Sequence, residues 1–281
     1  MRIRTLAAVL GIAALPLPAG ADPLVDRGAY LVNGIMACGN CHTPKGPDGD
    51  LPGMELAGGM AFEFESFTAY ASNLTMDRET GLGTWTDAQI IHAIRNGQRP
   101  DGSLIGPPMP VSFYREMSDE DARAVVAYLR SLPTVHNAVP PSEYRMPLPP
   151  DYGPAVTSVP APDRNDPVAY GGYLAAIGHC MECHTPMEGG SDLKDRLGVG
   201  GVAIPGPWGI AVSANITSHP EDGVGGWTDE ALKAAITKGV RPDGEPLGPP
   251  MPYHAYARMA DADLNALIAW LRALPPLPDP K

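Results

Sequence analysis

The feature that most constrains this chain is a duplication. Cys38, Cys41 and His42 return 142 residues later as Cys180, Cys183 and His184. The same offset carries Asn73 to Asn215, Trp85 to Trp227, Gly97 to Gly239, Asp101 to Asp243, Met109 to Met251, Tyr114 to Tyr256, Leu129 to Leu271 and Pro133 to Pro275. Gly106-Pro107-Pro108-Met109-Pro110 recurs letter for letter as Gly248-Pro249-Pro250-Met251-Pro252. A period this long, with no net insertion between its anchors, means two whole domains and not a stack of small units.

The boundaries follow. Residues 1–21 read as an export signal, with Arg2 and Arg4 at the start, an apolar stretch from Leu6 to Leu15 and small residues Ala19-Gly20-Ala21 before the cut. The first domain is expected over 22–133 and the second over 166–281. Between them, 134–165 holds eight prolines together with Tyr144, Met146 and Tyr152. Such density imposes extended or polyproline-like backbone. It reads either as a stiff solvated spacer or as a strap that packs its Tyr and Met residues over the first domain.

Each repeat predicts three helices. The first runs into the Cys pair, over Val25 to Ala37 and Pro167 to His179. The second starts at Thr86 or Thr228 and stops at Gly97 or Gly239. The third covers Asp119 to Leu132 and Asp261 to Leu274, with apolar residues at helical period, acids at its start and Pro just beyond. No stretch alternates well enough to predict a sheet, so the expected class is all-α.

Composition adds that this core is short of bulk. The chain has 32 Gly and 33 Pro among 281 residues, four Phe and 6% aromatics. Ordering the backbone costs about 1–2 kcal/mol per residue, so something besides side chains is expected to fill each interior. Without the signal, 18 basic residues face 32 acidic ones, a formal charge of −14. Nucleic acid and anionic lipid are polyanions and are disfavoured as partners. No later segment is apolar for the roughly 20 residues a membrane span needs. A periplasmic, soluble product is expected after cleavage.

Cys38-Gly39-Asn40-Cys41-His42 and Cys180-Met181-Glu182-Cys183-His184 match the c-type haem attachment pattern. Two thiols three positions apart on one helical turn can reach the two vinyl groups of one porphyrin, and the adjacent imidazole can rise to the iron. A thioredoxin-like pair would need a strand before it, and a zinc site would need four ligands where each repeat offers two Cys and one adjacent His. Two covalently bound haem c groups are expected, with iron ligands His42 and His184. From the opposite side, Met109 and Met251 are the candidates, since proline rings hold their loops stiff. Met117 and Met259, just before the third helix, read as core.

Other repeated residues stay open. Arg99 and Arg241 could bind propionates or pair with Asp101 and Asp243. Trp85 and Trp227 read as core near the ring edge, and Asn73 and Asn215 as side-chain turns. His92, His136 and His219 have no counterpart and are assigned to solvent or local hydrogen bonds. His179 and His254, each in one repeat only, are the rival ligands.

With these residues in hand, each half resembles the class I cytochrome c domain: a helix into Cys-x-x-Cys-His, later a Met loop, then a closing helix. The second half's Asn-Ile-Thr, Gly-Gly-Trp-Thr-Asp, Gly-Val-Arg-Pro-Asp-Gly and Pro-Pro-Met-Pro-Tyr are similar to the cytochrome c subunits of membrane-bound alcohol and gluconate dehydrogenases. Similar cytochromes accompany molybdenum hydroxylases. The resemblance covers nearly all of 24–133 and 166–276 and implies haem links at Cys38, Cys41, Cys180 and Cys183, proximal ligands at His42 and His184 and distal ones at Met109 and Met251. The sequence departs from those subunits in carrying two haem motifs where they carry three, and in lacking a C-terminal apolar stretch.

The expected function is a periplasmic di-haem cytochrome c passing single electrons from a dehydrogenase to another cytochrome or a terminal oxidase, without bond chemistry of its own. The acidic surface should steer it to a basic patch. The alternative is a di-haem enzyme, a peroxidase or a thiosulfate-oxidising type. It needs an iron that opens its sixth position or takes a Cys ligand, and attachment consumes all four cysteines.

Overall fold

Asp22 accepts a hydrogen bond from the Leu24 amide at 2.9 Å and Pro23 occupies the first turn, a combination that starts α1 (Pro23–Asn33). Gly34, at φ −107° and ψ −113°, ends it. The expected single helix over 25–37 is therefore broken, and the Cys motif forms a short helix of its own, α2 (Cys38–His42). The computed structural model describes residues 22–188, 191–206 and 208–279; the export signal expected over 1–21 lies outside the described residues.

Two antiparallel hairpins follow, β1 (Lys45–Gly46) with β2 (Gly49–Asp50) and β3 (Ala61–Glu63) with β4 (Phe67–Tyr70). Then α3 (Asp87–Asn96) begins at a capping box in which Thr86 and Gln89 bond each other's backbone, and ends at Gly97 in the left-handed region, φ 64°. A four-residue helix, α4 (Val111–Tyr114), leads to α5 (Asp119–Ser131), capped by Ser118. The linker contributes β5 (Glu143–Tyr144), which pairs antiparallel with β4.

The second half repeats the order with α6 (Pro167–Ile177), α7 (Cys180–His184), β6 (Met187–Glu188), β7 (Ser191–Asp192), β8 (Ala203–Gly206), β9 (Gly209–Val212), α8 (Asp229–Lys238), α9 (Tyr253–Tyr256) and α10 (Asp261–Ala273). The second and third helices of each half stand where their caps and periodicity placed them. The strands were not expected. Each is two to four residues long, too short to show alternation, and turns hold the pairs together.

Helix packing explains the glycines inside the first helices. α1 lies against α5, and α6 against α10, so closely that a Cβ on Gly28 would sit 1.9 Å from the Ala124 carbonyl oxygen and one on Gly171 2.0 Å from that of Ala266. These glycines are 143 residues apart, not 142. The repeat slips by one residue upstream of the Cys motif, in the turn after α1. Arg130 reaches from the end of α5 to the Trp85 carbonyl (2.5 Å) and Asp87, and Arg272 makes the matching contacts from α10 to the Trp227 carbonyl and Asp229.

The two halves share one apolar core that joins Leu31, Ile35 and Val125 to Leu174, Ile177 and Leu267. Their interface is pseudo-twofold. Tyr30 of α1 donates to the Asp263 carboxylate at 2.8 Å and accepts from the Ala260 amide at 3.0 Å. Its counterpart Tyr173 of α6 donates to Asp121 at 2.6 Å and accepts from the Ser118 amide at 3.3 Å. Each half supplies its own second donor, Arg27 to Asp121 (2.8 and 2.9 Å) and Tyr170 to Asp263 (3.3 Å). Both carboxylates are buried and hydrogen-bonded, Asp121 through both oxygens and Asp263 through Oδ2, as buried charge requires. Patch i meets patch j and j meets i, as in an isologous dimer.

The linker is a strap over the first half. Tyr144 donates to the Pro107 carbonyl at 3.0 Å and Tyr152 to the Ile105 carbonyl at 2.7 Å. Further on, Val156 exchanges backbone bonds with the Asn96 side chain (2.7 and 3.2 Å), and the Asp119 carboxylate takes the Ser158 hydroxyl and the Val159 amide. Both tyrosines pack as the strap reading requires, while Met146 stays exposed.

Candidate haem-binding sites

Each Cys motif begins from a residue in the left-handed region, Ala37 at φ 48° and His179 at φ 43°, which turns the chain out of the preceding helix and into the motif. The loop after the motif folds back on it. Thr43 accepts from the Leu56 amide at 3.1 Å and Thr185 from the Gly198 amide at 3.2 Å. The carbonyls of His42 and His184 take the Gly58 and Gly200 amides at 2.7 and 2.8 Å. The four cysteines are unpaired thiols. Burial pushes Cys38, Cys180 and Cys183 up to about 12 and Cys41 to about 11. They stay protonated near neutrality.

The histidines are held alike. His42 Nδ1 lies 2.8 Å from the Ser72 carbonyl oxygen, and His184 Nδ1 lies 2.7 Å from that of Ala214. A carbonyl only accepts, so Nδ1 carries the proton and Nε2 keeps its lone pair. Burial lowers both imidazole pKa values, and the carbonyl bond only partly opposes it, so the neutral ring is favoured.

Those carbonyls are themselves positioned. Asn73, buried, accepts from the amide and hydroxyl of Thr75 (2.9 and 2.8 Å) and donates to the Val135 carbonyl (2.8 Å). Asn215 does the same with Thr217 (2.9 and 2.7 Å) and the Leu277 carbonyl (2.9 Å). The side-chain turns expected at these residues are present, and they fix the residue just before, whose carbonyl orients the histidine. Residue type marks Asn73 and Asn215; nothing in the identities Ser72 and Ala214 could flag a backbone carbonyl.

Met109 and Met251 are half-buried and pack against the core, each on its Gly-Pro-Pro-Met-Pro loop with a cis bond between the two prolines. The helices that follow, α4 and α9, carry buried Tyr114 and Tyr256 into the neighbourhood of the thiols. Burial foremost, then the Cys38 and Cys41 thiols for Tyr114 and the Cys180 and Cys183 thiols for Tyr256, hold these phenols well above their ordinary pKa. Glu182 acts on both tyrosines and on both Cys41 and Cys183, so the two motifs approach each other across the interface. Ile35 packing where a Gly178 Cβ would sit, at 2.8 Å, brings the same segments together.

The remaining residues sort as follows. Met117 and Met259 are core. Trp85 and Trp227 pack half-buried on it. Arg99 donates to the Leu104 carbonyl at 2.6 Å, and Asp101 takes the Ser103 amide and hydroxyl instead of Arg99. His92 bonds Gln98 and Asn96, His136 faces Asp77 and His219 faces Asp222. Of the rival ligands, His254 is exposed. His179 lies 3.1 Å from Glu182 and edge-on to Tyr114, at the interface.

Two protonated thiols on one turn, an imidazole with Nε2 free and a thioether on a separate loop form a donor set that fits haem c twice over. Residues 25–133 match the family model described as cytochrome c. This stretch is a cytochrome c domain. The chain is 31% identical over 294 residues to the gluconate 2-dehydrogenase cytochrome c subunit of Pantoea cypripedii, covering 96% of this chain and 64% of that one. The alcohol dehydrogenase (quinone) cytochrome c subunit of Gluconobacter oxydans is 30% identical over 298 residues, 98% of this chain and 61% of the relative. A diheme cytochrome c-type protein of Cereibacter sphaeroides is 28% identical over 254 residues, 85% and 82% of the two chains. The chain thus spans about three fifths of the dehydrogenase subunits it matches. No helix among the described residues is long and apolar enough to cross a membrane.

Proposed function

We propose that this cytochrome is a periplasmic di-haem electron carrier, built from two all-α class I-type domains, that takes single electrons from a dehydrogenase and passes them to another cytochrome or a terminal oxidase. The observation that carries the reading is the twofold repetition of the His42–Ser72 and His184–Ala214 bonds behind two complete attachment motifs. Relatives named as cytochrome subunits of dehydrogenases support the electron-donor side.

Bound haem supplies reversible one-electron chemistry. Cys38, Cys41, Cys180 and Cys183 would hold it through thioethers, and His42 and His184 would ligate from one side. Met109 and Met251 would close the other side, which raises the potential and leaves no position for substrate. The shared core keeps the two motifs at a fixed separation.

The test is a haem count and an oxidised spectrum of the purified chain. Two haems per chain are expected, with a sulfur-to-iron band from both. Met109→Ala and Met251→Ala should each remove half that band and lower the potential of one haem only. One haem per chain would overturn the reading, and a high-spin signal at either iron of the unaltered protein would overturn it in favour of an enzyme.

A further inference from the structure

The two hairpins β3–β4 and β8–β9 occupy equivalent places, Phe67–Tyr70 matching Gly209–Val212 at the 142-residue offset. Their surroundings differ. In the first half the strap lays β5 along β4, pairing Phe67 with Tyr144 and Thr68 with Glu143. Ser142 accepts from the Tyr70 amide at 3.0 Å, and the Arg145 amide donates to Ser66 at 2.9 Å. The Arg145 guanidinium closes on the carbonyls of Phe64 and Glu65. The Tyr144 ring rests 5.8 Å from that of Phe67 and covers Gly106, whose Cβ would lie 2.5 Å from it.

In the second half β8 pairs with β9, and among the described residues no strand lies along the other edge of β9. Ile210 is 73% exposed and Val212 67%, where their counterparts Thr68 and Tyr70 are half-buried, and Trp208 is 40% exposed. Gly248, the counterpart of Gly106, has nothing within 4 Å of a Cβ. The strap's other tyrosine does have a replacement. Tyr152 covers Gly97, and Tyr253 covers Gly239 in the same way and donates to the Gly248 carbonyl at 3.0 Å. Among the described residues the place of β5 and Tyr144 is unfilled, and it runs from an apolar strand edge to the Met251 loop. A bare apolar edge of this kind is a template for an added strand.

We propose that β9 and the Gly248–Pro252 loop dock an extended segment of a separate protein, which pairs with β9 and lays an aromatic ring over Gly248 as Tyr144 does over Gly106. The first half shows what the occupant looks like, because this chain builds one for itself. Charge decides against a second copy: a chain of net charge −12 repels itself, while a basic protein is drawn in. That this protein is the redox partner rests on the electron-carrier reading; the strand addition does not. The second half is then the port, and the strap closes the same face of the first.

The experiment uses the full haem-loaded chain and, as probe, a synthetic peptide of strap residues 140–152. Saturable binding is expected, with the amides of 209–212 slowed at least about tenfold in hydrogen exchange. A peptide carrying Tyr144→Ala should bind about tenfold more weakly. The chain variant Ile210→Lys/Val212→Lys, altered only at exposed side chains, should lose the protection. No protection of 209–212 at roughly millimolar peptide overturns the proposal. So does protection that appears without peptide and grows with chain concentration, since a second copy would then be the occupant. The haem count on the same sample reads the carrier proposal separately: a colourless chain that still captures the peptide would sink the carrier and keep the docking edge.

Discussion

A buried asparagine two residues before a threonine does more here than make a turn. Asn73 and Asn215 each satisfy two donors on one threonine and pin a carbonyl from the far end of their half, and so hold the carbonyls of Ser72 and Ala214 against the histidines. Replacing either by Ala strands the threonine's amide in the interior, at a cost of about 1–3 kcal/mol, while its hydroxyl keeps the Val135 or Leu277 carbonyl. Asn73→Ala should lower the chemical unfolding midpoint and broaden the spectrum of the first haem only, and Asn215→Ala that of the second. An unaltered spectrum at the matching haem would detach these asparagines from histidine placement. At this scale the side chains that do chemistry, Cys, His and Met, were legible because their types and spacing are rare. The carbonyls that aim them were not, because every residue has one.

Elements with local signals were legible and those fixed by contact were not. Capping residues and helical period placed α3, α5, α8 and α10 to within a residue or so, whereas the third strand of the β3–β4–β5 sheet comes from a strap that returns from 75 positions downstream. The glycines of α1 and α6 carry no signal of contact in the sequence, yet they are where helices cross. Gly28→Ala and Gly171→Ala should each destabilise by about 1–3 kcal/mol through overpacking; a wild-type midpoint would contradict the crossing. The strap has an acid-sensitive anchor. The Ser158 hydroxyl, then the Val159 amide and Arg95 (2.7 Å), hold the Asp119 carboxyl down at about 2. A depressed carboxylate strengthens the fold above its ordinary pKa near 3.9 and stops doing so as pH falls through the folded value. Between about pH 4 and 2, amide exchange at Val156 and Val159, normalised to free peptide, should accelerate before that of α5. Asp119→Asn should produce the same release at neutral pH.

On the scale of the whole molecule, the duplication was plain in the sequence, but the way its halves clasp was not, because a one-residue slip upstream of the motif hides the equivalence of Tyr30 and Tyr173. Once aligned, they form one device used twice: a phenol from one half, seated on a buried carboxylate at the start of the other half's closing helix. Burial first, and the facing carboxylate with it, raises both phenols above their ordinary range. The folded state therefore holds these protons more tightly than the unfolded chain does. Their contribution is complete below about pH 10, the unfolded value, and is lost as pH climbs from there toward the folded value. The unfolding midpoint should then hold level through neutral pH and fall above about 10. A Tyr30→Phe/Tyr173→Phe chain should start lower, having left Asp121 and Asp263 short of a donor, and should fall less steeply in alkali. Other buried phenols, Tyr114 and Tyr256 among them, titrate in both proteins, so the difference between the two curves isolates the clasp. Parallel curves would mean that the halves are held by their shared apolar core alone.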